Sequence, residues 1–118
     1  MSQVSLNLIV LRSTDIYHSA DFYSKLGFVF TEQQHGNGPK HLTAELNGSI
    51  FELYPLFKDG LSTVGTRIGF NVPSIDSVIS ALSDYPEAII SHPKDSPWGR
   101  RAVITDPEGH RIELLQHQ

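Results

Sequence analysis

Two glutamates recur in matching settings along the chain. Glu52 lies in Gly48-Ser49-Ile50-Phe51-Glu52-Leu53 and Glu113 in Gly109-His110-Arg111-Ile112-Glu113-Leu114, so both hexapeptides read Gly-x-x-apolar-Glu-Leu, 61 residues apart. Each places a carboxylate between residues that belong in a core. On an alternating strand Ile112 and Leu114 face one way, while Arg111, Glu113 and Leu115 face the other. A carboxylate on such a face can ligate a metal, act as a general base, or pair with a cation. Its neighbours decide which.

The same alternation puts Leu6, Leu8, Val10 and Arg12 on that face in the first strand, and Arg67, Gly69 and Asn71 on it at the start of the second half. Leu8 and Arg67 are 59 residues apart and hold equivalent places. A divalent ion needs several lone pairs converging at about 2.0–2.2 Å. Leu8 offers none, and the Arg67 guanidinium has donors only and stays charged. Glu52 and Glu113 alone would make a weak, open site. No metal and no other cofactor is therefore expected. Arg67 is expected to pair with one or both carboxylates, which would otherwise repel across a shared cleft. The alternative is that it presents its donors to an acidic or carbonyl-bearing ligand.

Other chemistries find little support. The chain has no cysteine, which excludes disulfides, thiolate sites and cysteine nucleophiles. No His-x-His or His-Glu-x-x-His spacing occurs, and neither a Gly-x-Ser-x-Gly elbow nor a Gly-Lys-Ser/Thr phosphate loop is present. Of the histidines, His18, His35 and His117 are expected at the surface. His41 and His92 could reach a cleft rim, and His110, one residue past a turn, is expected to be exposed.

The elements that must carry these residues repeat. Leu6 to Leu11 reads as a buried strand. Ser13, Thr14 and Asp15 then offer N-cap oxygens to a helix whose apolar face is Ile16, Ala20, Tyr23 and Leu26, ended by Gly27. Strands follow over Phe28 to Gln34, Lys40 to Leu46 and Ser49 to Tyr54, the last two joined by the hairpin dipeptide Asn47-Gly48. After a connector from Pro55 to Gly65 the order begins again. Thr66 to Val72 is a strand, and Ser74 caps a helix with Ile75, Val78, Ile79 and Leu82 on one face. Ala88 to Ser91 is a short strand and Pro93 to Gly99 a loop. A hairpin turning at Asp106-Pro107-Glu108-Gly109 closes the chain. The helices align at an offset of 59 residues, so the chain is two β-α-β-β-β units. The fold class is α+β, one domain over residues 1–118, with modules at about 4–57 and 64–117. Each sheet would cover its helix with one face. The other faces would meet over a cleft floored by Leu8, Glu52, Arg67 and Glu113.

Bulk properties set the outer limits. With 39% hydrophobic and 19% charged residues and a net charge of -4, the chain shows no overall basic excess for nucleic acid. No apolar run approaches the roughly 18 residues of a membrane span, and no basic leader opens the chain. A cytoplasmic protein is the expectation.

This pattern resembles the vicinal oxygen chelate superfamily, which contains glyoxalase I, extradiol dioxygenases and the fosfomycin- and bleomycin-resistance proteins. The resemblance rests on Asp15 through Ala20-Asp21-Phe22-Tyr23, on Leu26-Gly27-Phe28, and on Phe51-Glu52-Leu53. In the second half it rests on Ile68-Gly69-Phe70-Asn71-Val72, Pro97-Trp98-Gly99, and Asp106-Pro107-Glu108-Gly109 with Glu113-Leu114. It implies paired modules forming a half-open barrel, assembled as a homodimer with clefts near the interface. The family's metal positions fall on Leu8, Glu52, Arg67 and Glu113, where glyoxalase-type enzymes carry His or Gln at the first and His or Glu at the third. Leu and Arg there point to the metal-free, bleomycin-resistance-like branch. In that branch the Pro-Trp-Gly loop borders the ligand, so Trp98 becomes a stacking platform. Arg101, beside Arg100, could attract a negative compound, and Tyr54 shares the face of Glu52.

The expected function is metal-independent binding of an aromatic or acidic small molecule, sequestered or carried, with Trp98, Arg67, Tyr54, Glu52, Glu113 and Arg101 as contacts. The alternative is a glyoxalase-type lyase, isomerase or dioxygenase using Glu52 or Glu113 as base, with or without a divalent metal. A scaffold whose only partner is itself is the third reading. Whether one chain or two complete each cleft stays open.

Overall fold

The computed structural model describes residues 3–117. Module one runs β1 (Leu8–Ser13), α1 (Ile16–Ser24), β2 (Thr31–Gln33), β3 (His41–Leu46) and β4 (Ser49–Pro55). Module two runs β5 (Arg67–Asn71), α2 (Ile75–Ala81), a 3₁₀ turn (Pro86–Ala88), β6 (Ile89–Ser96), β7 (Gly99–Thr105) and β8 (Arg111–Gln116). The sheets have orders β1-β4-β3-β2 and β5-β8-β7-β6, so each is the same half-unit with its first strand parallel to its last. No helix among the described residues is long and apolar enough to cross a membrane.

The helices start where the sequence places caps. Asp15 accepts the backbone N–H groups of Tyr17 and His18, and Ser74 accepts that of Ser77. The faces toward the helices carry the core. Leu11, Phe51, Leu53, Ile68, Ile112 and Leu114 are buried, and both modules share one apolar cluster. Aromatic rings join them. Phe70 of β5 packs edge-on against Phe28 at 5.1 Å and against Phe51 at 5.9 Å, and Tyr85 meets Phe22 at 5.3 Å.

A polar latch crosses the same junction. The Asp106 side chain turns the β7–β8 hairpin by accepting the N–H groups of Glu108, Gly109 and His110 on Oδ1, at 3.0, 3.0 and 2.9 Å. Its Oδ2 accepts the Tyr23 hydroxyl from α1 at 2.6 Å and His110 Nδ1 at 2.8 Å. His110 Nε2 pairs with Thr63 Oγ1 at 2.6 Å, and that oxygen accepts the N–H of Arg12. Burial by itself would raise the Asp106 carboxyl. The hydrogen bonds from His110 and Tyr23 outweigh it and hold the group below the usual aspartate range. The Tyr23 hydroxyl is pushed well up by burial and by the adjacent carboxylate.

Four expectations are corrected. His110 is buried rather than exposed, because the turn residue before it supplies a carboxylate that its ring closes over. Residues expected as a loop from Pro93 continue β6 to Ser96, irregular but paired with β7. The strand expected over Phe28 to Gln34 shrinks to Thr31–Gln33, since Phe28 and Phe30 turn into the core cluster. Finally, the sheets do not close over a common floor within the chain. They pack side by side through α1, the aromatic rings and the latch, and Leu8 and Glu52 sit on one open face while Arg67 and Glu113 sit on the other.

Candidate functional site

On module one the open face is built by alternation: Ile50, Glu52 and Tyr54 on β4, His41 and Thr43 on β3, Leu8 and Arg12 on β1. Glu52 Oε2 accepts the Thr43 hydroxyl at 2.8 Å. His41 lies buried beneath Tyr54, the rings parallel with centroids 4.2 Å apart. The Pro39 carbonyl, 3.2 Å from Nδ1, can only accept, so that nitrogen carries the hydrogen. His41 Nε2 therefore faces the Tyr54 oxygen at 3.4 Å and Glu52 Oε2 at 3.7 Å. Arg12 lies over Tyr54 at 5.1 Å and near Phe57 at 6.0 Å, a cation on an aromatic bed. Sequence reasoning put Arg12 on this face without singling it out. Alternation along β1 holds it on the Leu8 face, and the β1–β4 pairing sets it opposite Tyr54.

On module two Glu113 is the centre. Its Oε1 accepts Arg67 Nη2 at 2.7 Å and Arg101 Nη2 at 2.8 Å. The expected Arg67–carboxylate pair thus forms with one glutamate, and Arg101 joins it from β7. Glu113, Arg101 and Trp98 line a hollow of about 380 Å³ with Gly69, Asn71 and Leu115. Gly69 stands opposite Glu113 across β5 and β8, and its missing side chain opens the floor. Trp98 is 74% exposed, and its backbone N–H donates to the Ser96 hydroxyl. Gly99 makes its turn possible: φ is +131°, and a Cβ there would overlap the Gln116 carbonyl oxygen.

The site residues therefore fall into two groups. Trp98, Arg67, Arg101 and Glu113 come together on module two, whereas Glu52 and Tyr54 line module one beside His41. The recesses around Glu52 and Glu113 share no lining residue.

The donors do not fit the metal of the glyoxalase-type enzymes. Leu8 offers hydrocarbon, and the Arg67 guanidinium lies against the carboxylate that would have to ligate. Among the described residues no three His, Asp or Glu side chains converge.

A family model for the Glyoxalase/Bleomycin resistance protein/Dioxygenase superfamily matches residues 5–114. The chain belongs to that superfamily. No curated protein sequence matches it. Among solved structures it is similar to TnmS3, an antibiotic binding protein from Streptomyces sp. CB03234 (TM-score 0.76, 24% identity, covering 100% of this chain and 99% of that one). It is also similar to TioX from Micromonospora sp. ML1 (TM-score 0.73, 22% identity, 98% and 100%). A glyoxalase/bleomycin resistance protein from Streptomyces sp. CB03234 gives a TM-score of 0.72 at 24% identity, covering 95% and 100%. At these identities the likeness establishes the superfamily fold alone, and does so over the whole chain.

Proposed function

We propose that this superfamily member binds a planar small molecule without a metal, in the manner of bleomycin-resistance-type proteins, and sequesters or carries it. The observation that carries the reading is the Trp98-walled hollow over Gly69, with the Arg67 guanidinium standing where a metal ligand would be needed. An exposed indole over a floor lacking a side chain suits stacking and apolar burial. That TnmS3 is an antibiotic binding protein accords with this reading. Glu113 is poorly placed as a catalytic base, because one of its oxygens already carries two guanidinium hydrogen bonds.

A panel of planar aromatic compounds, followed by Trp98 emission and by melting temperature, tests the proposal. The only tryptophan should respond to at least one class. Silence in both readouts across the panel rejects binding. Metal dependence is tested separately by adding zinc, nickel or manganese to chelator-treated protein. A site filled at 100 times its dissociation constant would add about 2.7 kcal/mol of stability. We expect a shift in melting temperature below about 2 °C with each, and a rise near 10 °C would reinstate a metal site.

A second copy of the chain completes the cleft in this proposal, module one of each over module two of the other. Leu6, Leu8 and Ile50 form an exposed apolar strip on the open face of module one, which a second copy would cover. Sedimentation should give the mass of two chains, and Leu8→Asp should shift it toward one. A wild-type protein that stays monomeric at tens of micromolar ends the two-copy proposal.

A further inference from the structure

Module two carries more positive charge on its open face than its carboxylate can balance. Arg67 and Arg111 are direct partners across β5 and β8, and Lys94 and Arg101 are partners across β6 and β7. All four lie on the face of Glu113. Ile112, Leu114, Ala102 and Ile104 take the alternate positions and are buried under α2. Glu113 Oε1 is shared between Arg67 and Arg101. Among the described residues no carboxylate comes within ion-pair distance of Arg111. Arg100 shows the contrast, since on the helix side of the same sheet it is held by both Asp76 and Asp95. The chain as a whole is negative, at -4, so this surplus is not a consequence of composition.

We infer that the surplus is an oxyanion site and that the ligand is a planar aromatic acid, a carboxylate or sulfonate. The inference rests on the binding function proposed above and gives it a ligand class. The anion lies against Arg67 and Arg101, whose remaining N–H groups are not used by Glu113, and its ring lies over Gly69 against Trp98. Guanidinium forks suit planar oxyanions and stack on aromatic faces. Arg111 contributes field rather than contact with the ring. A bound anion also relieves repulsion among the four cations, so affinity falls as salt screens them.

Titration calorimetry at low salt with 2-naphthoate and its uncharged amide, 2-naphthamide, tests this. The acid should bind at least tenfold more tightly than the amide, as charge-assisted hydrogen bonds imply. Arg111→Gln, which removes an exposed and unpaired cation, should weaken the acid about threefold and leave the amide unchanged. Equal affinities for acid and amide overturn the oxyanion site while leaving small-molecule binding intact. Acetate binding as tightly as 2-naphthoate overturns the aromatic part. If neither naphthalene compound binds and the aromatic panel is also silent, the binding function fails with it.

Discussion

Asp106→Asn is expected to lower the melting temperature by about 10–20 °C at pH 7. The wild-type carboxylate accepts five hydrogen bonds while almost wholly buried, three from the backbone of its own turn and two from Tyr23 and His110. Asparagine has one oxygen, so an NH₂ group must point at donors on one side of the network. Breaking a buried charged network by removing one partner costs about 3–5 kcal/mol, against the roughly 5–15 kcal/mol that hold a domain folded. Tyr23→Phe removes only one of the five bonds and should cost about 1 kcal/mol. The acid limb carries a second signature. The Asp106 carboxyl is held below its ordinary value, so its contribution is complete above the unfolded aspartate pKa near ~3.9. It is lost as pH falls through the lower folded value. The asparagine variant should therefore lose less stability than wild type between about pH 5 and 2. A loss under 1 kcal/mol at pH 7, with an unchanged acid limb, would show that the latch contributes little.

Gly69→Val should leave the fold intact and remove ligand binding. Gly69 lies outside the left-handed region, and a Cβ there would meet only the Glu113 carbonyl oxygen at 3.9 Å and its Cβ at 4.0 Å, ordinary contacts. Valine suits a strand better than glycine, so the melting temperature should hold or rise slightly. The new side chain would stand between Arg67 and Asn71, in the hollow under Trp98. Overpacking of this kind costs about 1–3 kcal/mol, so affinity for 2-naphthoate should fall by about five- to 150-fold. Calorimetry with a melting curve on the same sample reads both effects. An affinity within threefold of wild type in a stably folded variant would move the ligand away from this hollow.

Much of the fold was legible from residue order because its signals are local. Asp15 and Ser74 cap helices through their own side chains, Asn47-Gly48 and Asp106-Pro107 turn the chain where they stand, and alternation of period two sorts Glu52 and Glu113 away from the core. The repeat at 59 to 61 residues then fixes two modules without any knowledge of packing. The same alternation foretold that Arg67 would share a face with a carboxylate, and it already held Arg111. Where local signals conflicted, packing won. Phe28 and Phe30 read as strand residues, but the ring cluster around Phe51 drew them inward and shortened β2.

By itself, then, the sequence determined the module, its duplication, and a pair of positions where hydrocarbon and guanidinium replace lone-pair donors. Tertiary structure alone decided how the modules sit. Side-by-side packing through Phe70 and the Asp106 latch sends the two glutamates to separate faces, gives Glu113 two arginines, and leaves Glu52 to Thr43 and His41. No strand pattern encodes that choice, because alternation specifies which face a side chain joins but not which face of which sheet lies opposite. That depends on contacts between residues such as Tyr23 and Asp106, 83 positions apart.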